Sequence, residues 1–529
     1  MPKRSTGCFE CRKRKVRCDE GKPECKTCLK RGTKCPGYRP TQSFVLHAFD
    51  EKSARPELIK EDENRYKYSN HAPAAQKLDQ SGNRPILPTP PSSAHSPSRY
   101  SSSDSGDRTR RSQANLANAP LPQQVSPVAI ERVQHIGTFL ELYMPQPKNE
   151  VFTPPTSLMF ALPNIPAAKK VFSCALDALS AAQLTVSYKN YPLINRARSL
   201  YGTALGQMMK TIMQPGSPHD DYTLLATYLL TLYEVFVGVS QGHGFFYHVQ
   251  GLLHILNQRG PASIRSKLAM DTYHGIRYNS LSLGYHLRKA SMLDTPEWLA
   301  VTAKAAKVDP YVALIDICIS IPRLLERTDK LTRAKATAAE FEEVINDSQT
   351  LADRGFAWFA SFQENHGPLY TNVPIDTVDG FFDPADKTYD PVYAYKSFAA
   401  SNMCSIYWMS MLIMRSNMFL LVRTHRKLEP KQLFMWDREL SGFADSICRG
   451  VPFSCRPAAG YVGRFGQLTP LIVARKYYTA KGAAKEAAWC EKVYYGAKVP
   501  GLYSPPQYAV PLEQHKGYTE FVQNTKRYI

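Results

Sequence analysis

Cys8-Phe9-Glu10-Cys11-Arg12-Lys13-Arg14-Lys15-Val16-Arg17-Cys18 is followed, after Asp19 to Glu24, by Cys25-Lys26-Thr27-Cys28-Leu29-Lys30-Arg31-Gly32-Thr33-Lys34-Cys35, and the two stretches are one pattern written twice. The unit C-x2-C-x6-C starts at Cys8 and again at Cys25, and takes up six of the chain's 12 cysteines. Cysteines this dense are a disulfide framework or a set of metal ligands. A disulfide framework needs export, and Met1-Pro2-Lys3-Arg4-Ser5 has basic residues with no apolar run of a secretory signal behind them. Metal ligation in a reducing compartment is therefore expected. Tetrahedral zinc takes four ligands, so two zinc ions need eight ligand positions, which six thiolates fill only if two of them bridge. The repeat demands an equivalent bridging pair, one cysteine from each half. A one-zinc ribbon built from Cys8, Cys11, Cys25 and Cys28 is simpler but leaves Cys18 and Cys35 without a purpose.

Charge concentrates at the same end. Of the 529 residues, 66 are Lys or Arg and 46 are Asp or Glu, a net +20. Residues 1–39 hold 13 basic and 4 acidic side chains, net +9, whereas residues 131–529 carry the same excess over a tenfold greater length. Six thiolates and two Zn²⁺ sum to −2, which leaves the block at about +7. A polyanionic partner is expected there.

Further along, Ser81–Pro127 contains 11 Ser and 8 Pro, too little apolar surface to offset the entropy of ordering, and reads as a flexible linker. From about residue 130 the pattern turns helical. Val133, Ile136, Leu140 and Tyr143 share one face, and 167–187 is an uninterrupted Ala/Leu-rich run. Asp220 and Asp221 stand at an N-cap position before Leu224 and Leu225. Val249, Leu252, Leu253 and Leu256 keep helical spacing until Gly260-Pro261 stops it. Gly251, in mid-helix, is expected to let another helix approach closely. Irregular insertions are expected near 260–295 and 365–395. The apolar runs Tyr222–Val239 and Met403–Val422 are interrupted by Glu234 and Arg415 and read as buried helices rather than membrane spans. The fold class is thus a small two-zinc cluster with two short helices, a disordered linker and a large all-α domain, divided as 1–39, 40–129 and 130–529.

The cysteine spacing, the basic run Arg12–Arg17, the linking Lys22-Pro23-Glu24 and the ending Cys35-Pro36-Gly37-Tyr38 resemble the fungal six-cysteine, two-zinc DNA-binding cluster. The resemblance implies that Cys8 and Cys25 bridge the metals, with Cys11, Cys18, Cys28 and Cys35 as the remaining ligands. It also implies a basic helix between the second and third cysteines, on which Arg14 and Lys15 read a CGG-type triplet in double-stranded DNA. Arg12, Arg17, Lys30 and Arg31 would hold phosphates. His248-Val-Gln-Gly251-Leu252-Leu253-His254-Ile255-Leu256-Asn-Gln-Arg259-Gly260-Pro261 resembles a segment of the fungal-specific regulatory domain that follows such clusters. His248, His254 and Arg259 are read as structural. Together these imply a nuclear regulator of RNA polymerase II transcription and no enzyme. They imply control of a secondary-metabolite or catabolic gene cluster, contact with co-regulators or the transcription machinery, and a homodimer through the helical domain.

Two other motifs compete. Gly238-Val-Ser240-Gln-Gly242 fits G-x-S-x-G, the serine-hydrolase elbow, which requires a strand before the serine. Asp376, Asp379, Asp383, Asp386 and Asp390, interleaved with Phe381, Phe382, Tyr389 and Tyr393, have the composition of an acidic activation segment; a folded acidic surface loop is the favoured reading.

Overall fold

The computed structural model describes residues 8–19, 21, 25–33, 35, 127–146 and 153–498, with breaks at 189–190, 215, 238–242 and 334–335. The Ser/Pro-rich linker expected before residue 127 lies outside the described residues, as does the Gly238–Gly242 motif. The chain divides into two compact units, residues 1–111 and 112–529.

The described part of the first unit is small. Helices α1 (Phe9–Lys13) and α2 (Lys26–Leu29) flank a core made of cysteine side chains.

The second unit is helical. It runs through α3 (Pro127–Tyr143), α4 (Pro154–Ala161), α5 (Lys170–Tyr188), α6 (Tyr191–Ile212), α7 (Asp221–Val237), α8 (His243–Arg259) and α9 (Lys267–Leu287). It continues through α10 (Pro296–Thr302), α11 (Pro310–Cys318), α12 (Ile321–Arg333) and α13 (Ala338–His366), then α14 (Phe398–His425), α15 (Pro430–Cys455), α16 (Gly460–Lys481) and α17 (Ala484–Ala497). Local sequence sets many of the ends. Asp220 caps α7, its carboxylate accepting from Thr223 N at 2.9 Å. Ser266 and Ser397 cap α9 and α14 in the same way. Thr337 and Glu340 form a reciprocal capping box on α13. Gly260, at φ 70°, ends α8 as its sequence predicts.

One apolar core gathers α3 to α9 around Phe139, Phe172, Leu229, Leu252 and Tyr273. A second gathers α11 to α17 around Ile315, Tyr407, Leu412, Ile447 and Leu471. Phe465 of α16 borders both. Strands β1 (Tyr370–Val373) and β2 (Val392–Tyr395) pair antiparallel, Tyr370 opposite Tyr395, within the stretch expected to be irregular. Helix α14 is long and apolar enough to cross a membrane, yet 83% of its most apolar window is buried inside the fold. Its Arg415 is neutralised by Glu439 at 2.6 and 2.8 Å.

The unit also closes on itself. Gln146, just beyond α3, donates to the Ala458 carbonyl at 2.9 Å. Gly460 lies so near the carbonyls of Tyr143 and Met144 that a Cβ there would meet them at 2.6 and 2.4 Å.

Three expectations need correction. Most of 260–295 is not irregular, because α9 occupies 267–287; its periodicity is masked by the buried polar residues His274, Arg277, Asn279 and Ser280. Arg277 is accommodated there by an ion pair with Asp316. Gly251 faces open space, and the close approaches occur instead at Gly275, against the Tyr228 ring, and at Gly355, against Met411. On α3 the buried face is Ile136, Phe139 and Tyr143, while Val133 is 70% exposed.

Candidate metal centre and its basic rim

Each half of the repeat builds the same local structure. Cys8 precedes α1 and its sulfur accepts from Cys11 N at 3.4 Å; Cys25 precedes α2 and accepts from Cys28 N at 3.3 Å. The sulfurs of Cys8 and Cys25 are 3.6 Å apart, with Cys8 to Cys28 and Cys11 to Cys25 both at 3.7 Å. Two sets of four sulfurs lie within 4.8 Å of one another: Cys8, Cys11, Cys18 and Cys25, and Cys8, Cys25, Cys28 and Cys35. Cys8 and Cys25 belong to both sets.

The donor chemistry fits zinc. Ligands about 2.3 Å from a tetrahedral zinc stand about 3.8 Å from one another, close to the separations found here. Cys8, Cys11, Cys25 and Cys28 are wholly buried and Cys18 partly so. Burial pushes the Cys8 thiol up to about 12 and raises Cys11 and Cys25 as well. Thiolates crowded in this way need a cation to balance them.

The basic residues form a rim outside the sulfurs. Helix α1 stops at Lys13, so Arg14 and Lys15 lie in its closing turn and not within a basic helix; this corrects the expectation. Val16 N returns to the Cys11 carbonyl at 3.0 Å, and Thr33 N returns to the Cys28 carbonyl at 3.2 Å. The turn leaves Arg14 half-buried, with Lys15 and Arg17 exposed; Lys30 and Arg31 are exposed at the corresponding end of α2. Arg12 lies within α1.

Sequence reasoning missed Asp19. Its carboxylate accepts from Lys26 N, Thr27 N and the Thr27 hydroxyl, each at 3.0 Å. These bonds hold it down at about 2. An acidic residue a short loop before a helix start was the available signal.

In the second unit the singled-out residues act as pins. Tyr201 donates to Glu234 at 2.6 Å and lies 2.8 Å from His248 Nε2. His254 meets Gln258 at 3.1 Å, and Arg259 joins Asp221 and Ser263. Helix α7 runs to Val237, ahead of the motif, where the hydrolase elbow needs a strand. The acidic segment is a folded loop: Asp390 accepts from Ile375 N at 3.0 Å, Asp383 and Asp386 face Lys492, and Phe381 packs on Gly496.

Residues 6–43 match the fungal Zn(2)-Cys(6) binuclear cluster domain, and this segment is such a domain, which takes two zinc ions. The chain is 48% identical over 44 residues, 8% of either protein, to an uncharacterised transcriptional regulatory protein of Schizosaccharomyces pombe. It is 46% identical over 46 residues, 9% of this chain and 8% of the relative, to the pestheic acid cluster transcriptional regulator 3 of Pestalotiopsis fici. It is 53% identical over 34 residues, 6% of either protein, to the aspercryptin biosynthesis cluster-specific transcription regulator atnN of Emericella nidulans. The alignment thus spans less than a tenth of these relatives' length. No solved structure matches the chain.

Proposed function

We propose that the chain is a zinc-dependent, sequence-specific DNA-binding regulator of RNA polymerase II transcription that works in the nucleus and reads CGG-type triplets. The observation that carries this reading is the pair of four-sulfur sets sharing Cys8 and Cys25, which joins two helix ends that each present basic side chains. In the proposal Cys8 and Cys25 bridge, Cys11 and Cys18 complete one site, and Cys28 and Cys35 complete the other. Bound zinc supplies the charge that keeps these thiolates ionised and cross-links the two halves. Arg14 and Lys15, at the end of α1, meet the O6 and N7 acceptors of guanine in the major groove. Arg12, Arg17, Lys30 and Arg31 take phosphate and account for the salt dependence such binding has.

The relatives named for pestheic acid and aspercryptin clusters support control of a secondary-metabolite gene cluster, with a catabolic cluster as the other candidate. The helical unit is then the regulatory part, meeting co-regulators or the transcription machinery and supporting a homodimer. Selection of bound sites from random DNA by the full chain tests the reading. Enrichment of CGG-type triplets, abolished by a zinc chelator, is expected; recovery of no preferred sequence would overturn it.

A further inference from the structure

The first N–H groups of a helix have no partner within it, and an acidic side chain placed there satisfies them and favours their dipoles. Asp19 does this for α2 across the boundary between the two halves, bonding Lys26 N, Thr27 N and the Thr27 hydroxyl. The same hydroxyl lies 3.4 Å from the Arg17 carbonyl, a second acceptor from the first half. The position after Cys35 that corresponds to Asp19 after Cys18 is Pro36, whose side chain accepts nothing. Among the described residues the link runs from the loop after Cys18 to the start of α2. The other end of this four-residue helix leads directly into Lys30 and Arg31.

We infer that Asp19 is a positioning residue that fixes how Lys30 and Arg31 stand relative to Arg14 and Lys15, so that phosphate holding and base reading meet one duplex together. The inference rests on the DNA-reading proposal above. Its sign is diagnostic: removing a negative charge beside DNA by itself favours binding, whereas loss of positioning weakens it.

The test is a double-mutant cycle on the full chain with Asp19→Ala, Lys30→Ala and both, measured on the selected site and on single-base variants, with zinc content by native mass spectrometry. Asp19→Ala is expected to keep two zinc ions and to weaken every sequence about fivefold, the size of losing one helix cap. It should add less to Lys30→Ala than to the wild type, because one of the two contacts it places is already gone. Asp19→Asn, which keeps one acceptor oxygen, should recover part of the loss. Losses that multiply independently, or loss of zinc from Asp19→Ala, would overturn the inference. Amide exchange at Thr27, which needs no DNA, should quicken in Asp19→Ala. A wild-type chain that ignores triplets while Thr27 exchange still responds would sink the DNA reading and leave the Asp19 tie standing.

Discussion

Lys15 and Gly32 stand at the same point of the two halves, and both have left-handed backbone, with φ 53° and 67°. Each lets the next amide return to a cysteine carbonyl. Glycine takes this conformation freely, whereas a lysine is held there at a cost of roughly 1–2 kcal/mol. The first half thus keeps a strained side chain where the second half relieves the strain, and strain of this kind points to use.

Lys15→Gly and Lys15→Ala should therefore separate folding from reading. Both lose the side chain, so both should lose base discrimination. The glycine variant should resist denaturation of the zinc-loaded domain better than the alanine variant by about 1 kcal/mol. Equal stabilities would mean that the backbone at Lys15 is unstrained.

Reading and holding should also come apart. Arg14→Ala or Lys15→Ala should cost about 1–3 kcal/mol on the selected site and flatten preference at one position. Lys30→Ala should weaken all sequences alike and reduce the steepness of log K against log salt by about one. Titrations of single-base variants at several salt concentrations decide, and exchanged outcomes would reverse the roles of the two helix ends.

Bridging predicts an asymmetry among the ligands. Cys25→Ala removes a donor from both four-sulfur sets and Cys35→Ala from one. The former should be at least as damaging to zinc retention, measured by native mass spectrometry with two ions bound to the wild type. A single ion in the wild-type domain would remove the need for a bridge.

The helical unit offers a pair of substitutions with opposite signs. Gly251 sits in mid-helix with open space around its Cα, so Gly251→Ala should stabilise by about 1 kcal/mol. Gly275→Ala would place a methyl group 2.6 Å from the Tyr228 ring and should destabilise by about 1–3 kcal/mol. Urea denaturation of the full chain measures both.

Acid should loosen the same region. Burial, aided by Arg277, lowers His274 to about 4. A histidine held neutral in the fold contributes stability that is complete above its ordinary value near 6.5 and fades as pH falls towards 4. His274→Gln should flatten this part of a stability-against-pH curve, and an unchanged curve would assign the acid sensitivity to other groups.

How much was legible depended on what kind of signal each feature leaves. Cysteine spacing is a chemical constraint with few solutions, so the sulfur sets could be anticipated from residues 8–35 alone. The stop of α1 at Lys13 could not, because a basic run carries no helix period; only the alignment of Lys15 with Gly32 hints at a turn. Helices α7 and α8 were readable from Asp220 and Gly260, which act locally. Helix α9 was hidden because Arg277 is buried with the help of Asp316, a partner on α11, and pairings between distant helices leave no periodic trace. Asp19 was missed for a related reason: its partners belong to the other half of the repeat.

The contact of Gln146 with Ala458, and of Gly460 with the end of α3, also bears on how the chain is made. These partners lie far apart along the chain, one group at the start of the helical unit and the other near its end. At ribosomal speeds of about 5–20 residues per second, α3 emerges roughly 15–60 s before α16 exists to meet it. In the finished fold α3 packs against both α5 and α16, so α5 alone is not its full complement of partners. The unit therefore finishes folding only once α16 has emerged, and a message truncated before α16 releases a chain whose α3 lacks the partner that meets its end, leaving the kind of surface chaperones and proteases recognise.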